Sequence, residues 1–249
     1  MSFRSRTRSI GAFYIPGFPK GVKWLLISNV AIFVIGFFAQ LAGSHPLAYL
    51  QLYPVDVVKN FFVWQLVTYA FLHGGFGHII WNMLALWMFG ADIERVWGTR
   101  RFVQFYFFCA VGAGLCVVLL NYVLPWGNRN LPTIGSSGAI FGILMVYAIL
   151  FSDREILWGF LIPIKVKYFV MIIGAVAFLS SFGVNNGVSN FAHLGGLLFG
   201  YLYLKTPHIQ FDPVAPIRRQ YRDWKLQRAK KKFQVYLRKQ GSGRGPKVN

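Results

Sequence analysis

The chain is 249 residues long and 55% apolar, with 26 Lys and Arg against 7 Asp and Glu. Charged residues make up 13% of it, where a soluble domain has about 25%, so there is too little polar surface for a water-borne particle of this size. That composition excludes an ordinary soluble globule and a disordered chain, and makes membrane embedding the default expectation. The net charge of +19 would suit a nucleic-acid binder if spread over a domain, but 13 of the 26 basic residues lie between Lys205 and Asn249.

The N-terminal stretch holds Arg4, Arg6 and Arg8 among Ser and Thr with no acid, as presequences and signal peptides do. The apolar stretch after Lys23 runs about 20 residues, too long for a signal h-region. A retained cytoplasmic basic tail over 1–22 is therefore expected. Charge is then absent from 24–55, 60–91, 102–128, 130–152 and 168–204. A spanning helix needs about 20 apolar residues, and the last gap is interrupted by the breaker Asn185-Asn186-Gly187. These gaps predict helices near 24–43, 77–92, 101–124, 137–152, 167–183 and 190–205. Residues 44–76 join the first two. Their uncharged run from Phe61 to Tyr69, with Trp64 and Tyr69, reads as a membrane-embedded loop lying in the interface. Cys109 and Cys116 sit in an apolar run and read as small fillers.

Charge asymmetry tests the count of six. With the N-terminus cytoplasmic, the inner segments hold the basic residues before Trp24, then Arg95, Arg100 and Arg101, then Arg154, Lys165 and Lys167, then the tail. Only Lys59 and Arg129 fall outside, a split of 24 to 2 that obeys the positive-inside rule. Five or seven spans would put the tail on the wrong side. The expectation is an all-α polytopic membrane protein, with a six-helix membrane domain over 23–206 and a basic cytoplasmic tail over 207–249. In that tail Ile217, Tyr221, Trp224 and Arg228 follow helical spacing among lysines and arginines, which reads as a helix drawn to anionic lipid. No nucleic-acid reading motif accompanies the charge.

Polar groups inside spans are costly and serve either function or interhelical contact. His78 and Asn82 are four apart on one helix face, Ser137 opens the fourth predicted helix after Gly135, and His193 lies early in the sixth. At about 1.5 Å per residue, Ser137 stands about 24 Å above Asp153 and His193 about 18 Å above Lys205. His78 and Asn82 stand about 21 and 15 Å above Asp92. Polar groups from three helices thus share one layer. A serine needs a base, usually histidine, and its acyl intermediate needs donors such as helix-start N–H groups, Asn or His. Phe141, one turn past Ser137, could stack on the imidazole. The residues alone leave open a Ser/His hydrolase, interhelical hydrogen bonding, and an ion or proton pathway. Zinc is disfavoured, since His73 and His78, five apart, would diverge on a helix and lack a carboxylate or thiolate neighbour. No metal or other cofactor is expected.

At these residues the chain resembles the rhomboid intramembrane serine proteases, over about 22–206. His73, His78 and Asn82 match the histidine–histidine–asparagine pattern of the family's second helix. Gly135-Ser136-Ser137-Gly138 matches its G-x-S-G motif, and Ala192-His193 with Gly196 its sixth-helix motif. Gly90, Glu94 and Gly98 fit the turn after the second helix, and Trp64 the first loop. The resemblance implies a six-helix rhomboid-like bundle, Ser137 as nucleophile and His193 as base in a dyad, and an oxyanion hole from the Ser137 N–H, His78 and Asn82. His73 would be structural, with Gly135, Gly138, Phe141, Gly196, Trp64 and Glu94 in support. Gln65, Val96 and Phe141 depart from residues common among relatives (Arg, Arg and Tyr). The implied activity is cleavage of single-pass transmembrane proteins near the outer face; the alternative is an inactive rhomboid-like adaptor that binds transmembrane helices. A bacterial inner membrane is the expected location, with both termini cytoplasmic.

Overall fold

A computed structural model describes residues 17–158, 162–181, 187–206 and 227–228. The chain divides into two compact units, Met1–Pro207 and His208–Asn249. In the second unit residues 227–228 are helical; the rest of the predicted tail helix lies outside the described residues, as do Asn185 and Asn186.

The first unit is built from helices in chain order. Helix α1 is Lys20–Leu41, the short α2 and α3 are Pro54–Lys59 and Gln65–Thr68, and α4 is Phe76–Trp97. Then follow α5 (Thr99–Val123), α6 (Ser137–Leu150), α7 (Val166–Ser180) and α8 (Gly187–Lys205). Two of these, α1 and α5, are long and apolar enough to cross a membrane, and α6 and α7 are shorter apolar helices. Exposure sorts them physically. Along α1, Trp24, Ile35, Phe38 and Leu41 are exposed, and along α7 so are Tyr168, Met171, Val176 and Leu179. In water such apolar faces would be costly, whereas hydrocarbon solvates them. Helices α5 and α6 are central, with Phe102, Phe105, Ala113, Ile143 and Val146 buried.

Glycines decide how closely the central helices approach. A Cβ on Gly196 of α8 would run into the backbone carbonyl of Gly138 on α6, and one on Gly200 would lie 2.6 Å from the Gly142 carbonyl. On the other face of α8, a Cβ on Gly195 would sit 2.7 Å from the Cys116 Cβ of α5. Close backbone approach of this kind supplies the dispersion contacts that associate helices where no hydrophobic driving force acts between them. Both cysteines are free; Cys109 is buried and fills the space beside Gly142.

Two expectations need correction. The fold is mostly helical but not all-α, because strands β1 (Glu155–Trp158) and β2 (Ile162–Lys165) pair antiparallel, Glu155 opposite Lys165 and Trp158 opposite Ile162. The apolar run there is too short for a helix, and Pro163 is tolerated because a two-stranded ribbon is all edge. Helix α4 also continues five residues beyond Asp92, the charge that was expected to end it. Asp92 is buried within the helix. It accepts hydrogen bonds from Arg95 at 2.9 Å, from Tyr147 at 3.0 Å and from Arg154. A carboxylate with three partners can stay inside, so it does not mark a helix end.

Glu94 ties the starts of two helices, α1 and α5, to α4. Its carboxylate accepts the Gly21 and Val22 N–H groups at 2.8 and 2.7 Å, and the Thr99 hydroxyl at 2.6 Å. It thereby satisfies first-turn donors of α1 that have no local side-chain cap. Helix α4 itself closes at Gly98, whose φ of +80° is open to glycine and strained for other residues.

Candidate active site

The first loop is stitched to the segment that carries Ser137. Leu52 and Thr133 exchange backbone hydrogen bonds at 3.1 and 2.9 Å, and the Gly135 N–H donates to the Tyr69 carbonyl at 2.9 Å. The Tyr69 hydroxyl in turn donates to the Ala110 carbonyl of α5 at 2.8 Å. Gln65, which departs from the family pattern, is fully buried. It accepts from the Tyr53 N–H at 3.0 Å and donates to the Tyr49 carbonyl at 3.3 Å. Its neighbour Trp64 donates to the same carbonyl at 3.2 Å and stacks on Phe62, with ring centroids 4.5 Å apart. A neutral amide can donate and accept at once, so Gln65 anchors the loop with two bonds. Val96, another departure, is exposed.

Gly135 then turns the chain at φ +119°, and Ser137 is the first residue of α6. Its Oγ lies 2.9 Å from Nε2 of His193 on α8. Phe141, one turn further along α6, stacks on the His193 ring with centroids 4.2 Å apart and planes at 5°. Two helices whose backbones touch through Gly138 and Gly196 thus bring a hydroxyl, an imidazole and a flat supporting ring together. The imidazole is held in plane, with one nitrogen toward the hydroxyl.

His78 approaches from α4. A Cβ on Gly135 would lie 2.7 Å from His78 Nε2 and 3.7 Å from Ser137 Oγ, so only glycine lets this imidazole in beside the serine. The other His78 nitrogen, Nδ1, accepts from the Gly74 N–H at 3.4 Å. The neutral ring therefore carries its proton on Nε2, facing the serine's surroundings. Asn82, one turn along α4, is buried, and its amide nitrogen has no hydrogen-bond partner. A buried donor without a partner is costly, and this one is free to bond an acceptor brought beside Ser137.

His73 corrects the helical-spacing argument made against a metal. It precedes α4, whose N-cap is Gly75, so the two histidines do not diverge. Their rings meet edge to face at 5.0 Å and 68°, and His73 Nε2 lies 3.3 Å from the Ser136 Oγ. Among the described residues no group of His, Cys, Asp and Glu is arranged to hold a metal ion. Sequence reasoning had Ser136 only as the middle residue of the G-x-S-G motif, and missed Tyr106 and Asn29 as its neighbours. All three are polar residues within or beside apolar helices, and that was the available signal.

The chain matches the family model of the Rhomboid domain over residues 60–208. It is 37% identical over 141 residues to the rhomboid protease GluP of Bacillus subtilis, covering 55% of this chain and 25% of that protein. It is 29% identical over 240 residues to RHOMBOID-like protein 4 of Arabidopsis thaliana, covering 83% and 58%. With the rhomboid-type serine protease 2 of Emericella nidulans it shares 32% identity over 162 residues, covering 61% and 29%. The chain therefore spans between a quarter and three fifths of the length of these relatives.

Proposed function

The chain belongs to the rhomboid family of membrane-embedded proteins, and from that premise we propose that it is an intramembrane serine endopeptidase acting on single-pass membrane proteins. Ser137 attacks a peptide carbonyl while His193 takes its proton as general base. His193 then returns that proton to the leaving amine, and a water repeats the sequence on the acyl-serine. The Ser137 N–H, His78 Nε2–H and the Asn82 amide receive the charge that develops on the carbonyl oxygen. The observation that carries this reading is the 2.9 Å contact between Ser137 Oγ and His193 Nε2, made between two apolar helices and backed by the Phe141 ring. The names of GluP and the Emericella protein, a protease and a serine protease, support the same reading.

The same proposal includes a membrane placement. Helices α1 and α4 to α8 are six spans, with both termini in the cytoplasm of a bacterial inner membrane, the membrane domain over 23–206 and a basic tail that meets anionic lipid. Helices α6 and α7, of 14 and 15 residues, are about 21 and 22 Å long. The hydrocarbon layer is about 30 Å thick, so the bilayer thins beside them. Thinning brings water toward a serine at the outer end of α6. A substrate helix hides its carbonyls in hydrogen bonds, so segments with helix-weakening residues near the outer face are the preferred substrates.

The test is cleavage of a single-pass substrate by the purified chain in liposomes. Wild type cleaves, while Ser137→Ala and His193→Ala fold with unchanged thermal midpoints and do not. Full activity of Ser137→Ala would overturn the serine mechanism. Stable capture of the substrate without cleavage by wild type would assign an adaptor instead.

A further inference from the structure

Ser136 takes no part in the mechanism above, yet it is fully buried between Gly135 and the nucleophile. A buried hydroxyl keeps a partner, and here the partner is His73 Nε2 at 3.3 Å. The His73 ring in turn lies edge to face on the His78 ring, a preferred aromatic geometry. His78 Nδ1 is occupied by the Gly74 N–H, and its Nε2 lies against Gly135, within 2.7 Å of the point where a Cβ there would sit and to which Ser137 Oγ comes within 3.7 Å. Behind Ser136 stands the Tyr106 hydroxyl, beside both Ser136 and Asn29 but without a hydrogen bond of normal geometry to either. Tyr106 and Asn29 are fully buried, on α5 and α1 respectively. One row of contacts thus runs from the residue before the nucleophile, through His73, to the imidazole that faces the reacting atoms.

We propose that Ser136 is a positioning residue that acts through His73 on His78, fixing the His78 ring so that its Nε2–H points at the oxyanion site. This rests on reading Ser137 as the nucleophile and His78 as an oxyanion donor. A donor of this kind works only if aimed before the charge forms, and a ring held only by one 3.4 Å bond at Nδ1 would be free to tilt. The Ser136 hydroxyl and the His73 ring remove that freedom. Glycine, alanine or leucine at position 136 would leave His73 without this bond.

The experiment is a double-mutant cycle on the full chain in liposomes, read as the rate of covalent labelling by a fluorophosphonate, a single-turnover reaction that uses the same serine and oxyanion donors. Ser136→Ala slows labelling about fivefold, the kinetic equivalent of one neutral hydrogen bond, while the protein still folds with at most a small drop in thermal midpoint. In the His78→Ala background the same substitution has no further effect, because its route is already cut. Equal slowing in both backgrounds, or none in either, would overturn the proposal. If Ser136→Ala does not fold, His73 decides. His73→Gln keeps an N–H within reach of Ser136 and labels faster than His73→Leu, and equal rates for the two would overturn the proposal. Wild type that takes no label, or Ser137→Ala that does, would instead defeat the underlying serine reading.

Discussion

On the α6–α8 side of the site Ser137 and His193 are held by backbone against backbone, through Gly138 facing Gly196 and Gly142 facing Gly200. On the α4 side and in the loop before it the contacts are hydrogen bonds, from Gly74 to His78, between Ser136 and His73, and from Tyr53 to Gln65. Close helix packing is stiff, since it leaves no flexible side chain at the contact. Side-chain hydrogen bonds are individually worth about 1 kcal/mol and can rearrange. In the mechanism proposed above, Ser137 and His193 must keep one distance, and they sit on the stiff side. The side-chain oxyanion donors proposed there, His78 and Asn82, sit on the side where position rests on hydrogen bonds, so each such bond matters to their aim.

That contrast can be broken from either side. Asn82→Ala should cost the most in rate, about 10²–10³ in kcat, with little loss of thermal midpoint, because the amide nitrogen it removes has no partner in the resting protein. A midpoint that falls with the rate would make Asn82 structural. Gly196→Ala should do the opposite, lowering the midpoint and the activity together, since the new methyl meets the Gly138 carbonyl; overpacking of this kind costs about 1–3 kcal/mol. A normal midpoint in Gly196→Ala would remove the backbone contact as the source of stiffness. Gln65→Ala leaves the Tyr53 N–H without its acceptor. It should lower the midpoint by the equivalent of about 1–2 kcal/mol while changing kcat less than tenfold, as turnover and melting curves would show.

The smallest effect belongs to Asp153, far from both halves. Lys167 and Lys165 hold its carboxyl below the usual carboxylate range. A depressed folded-state pKa gives stability that is present above the ordinary carboxylate pKa and lost as pH falls through the lowered value. The group is exposed and screened, so Asp153→Asn should lower the midpoint at pH 7 by less than about 1 °C. Below the carboxylate range it should match wild type. A large shift would give the loop after α6 a weight its exposure does not suggest.

Charge-free runs in the sequence located the long helices because a charge in an apolar span is normally an end marker. The same rule misplaced the end of α4, because Asp92 is neutralised from α6 and from the loop beyond it, by Tyr147 and Arg154. Counting along helices put Ser137, His193, His78 and Asn82 at one height, but height is blind to rotation and to loop path. The path of the segment before α4 is what brings His73 onto His78 and Ser136. It depends on Gly75 starting the helix after His73, which spacing alone does not announce. The strand pair after α6 was hidden for a different reason: four-residue strands carry too little periodicity to separate from an apolar loop.

The most direct measurement is the site of covalent capture. Purified wild type in liposomes is exposed to a fluorophosphonate, digested, and the modified peptide sequenced by mass spectrometry. The label should fall on Ser137 and vanish in Ser137→Ala and His193→Ala, while Ser136 stays unmodified. A label on Ser136, or labelling of Ser137 that persists without His193, would contradict the account.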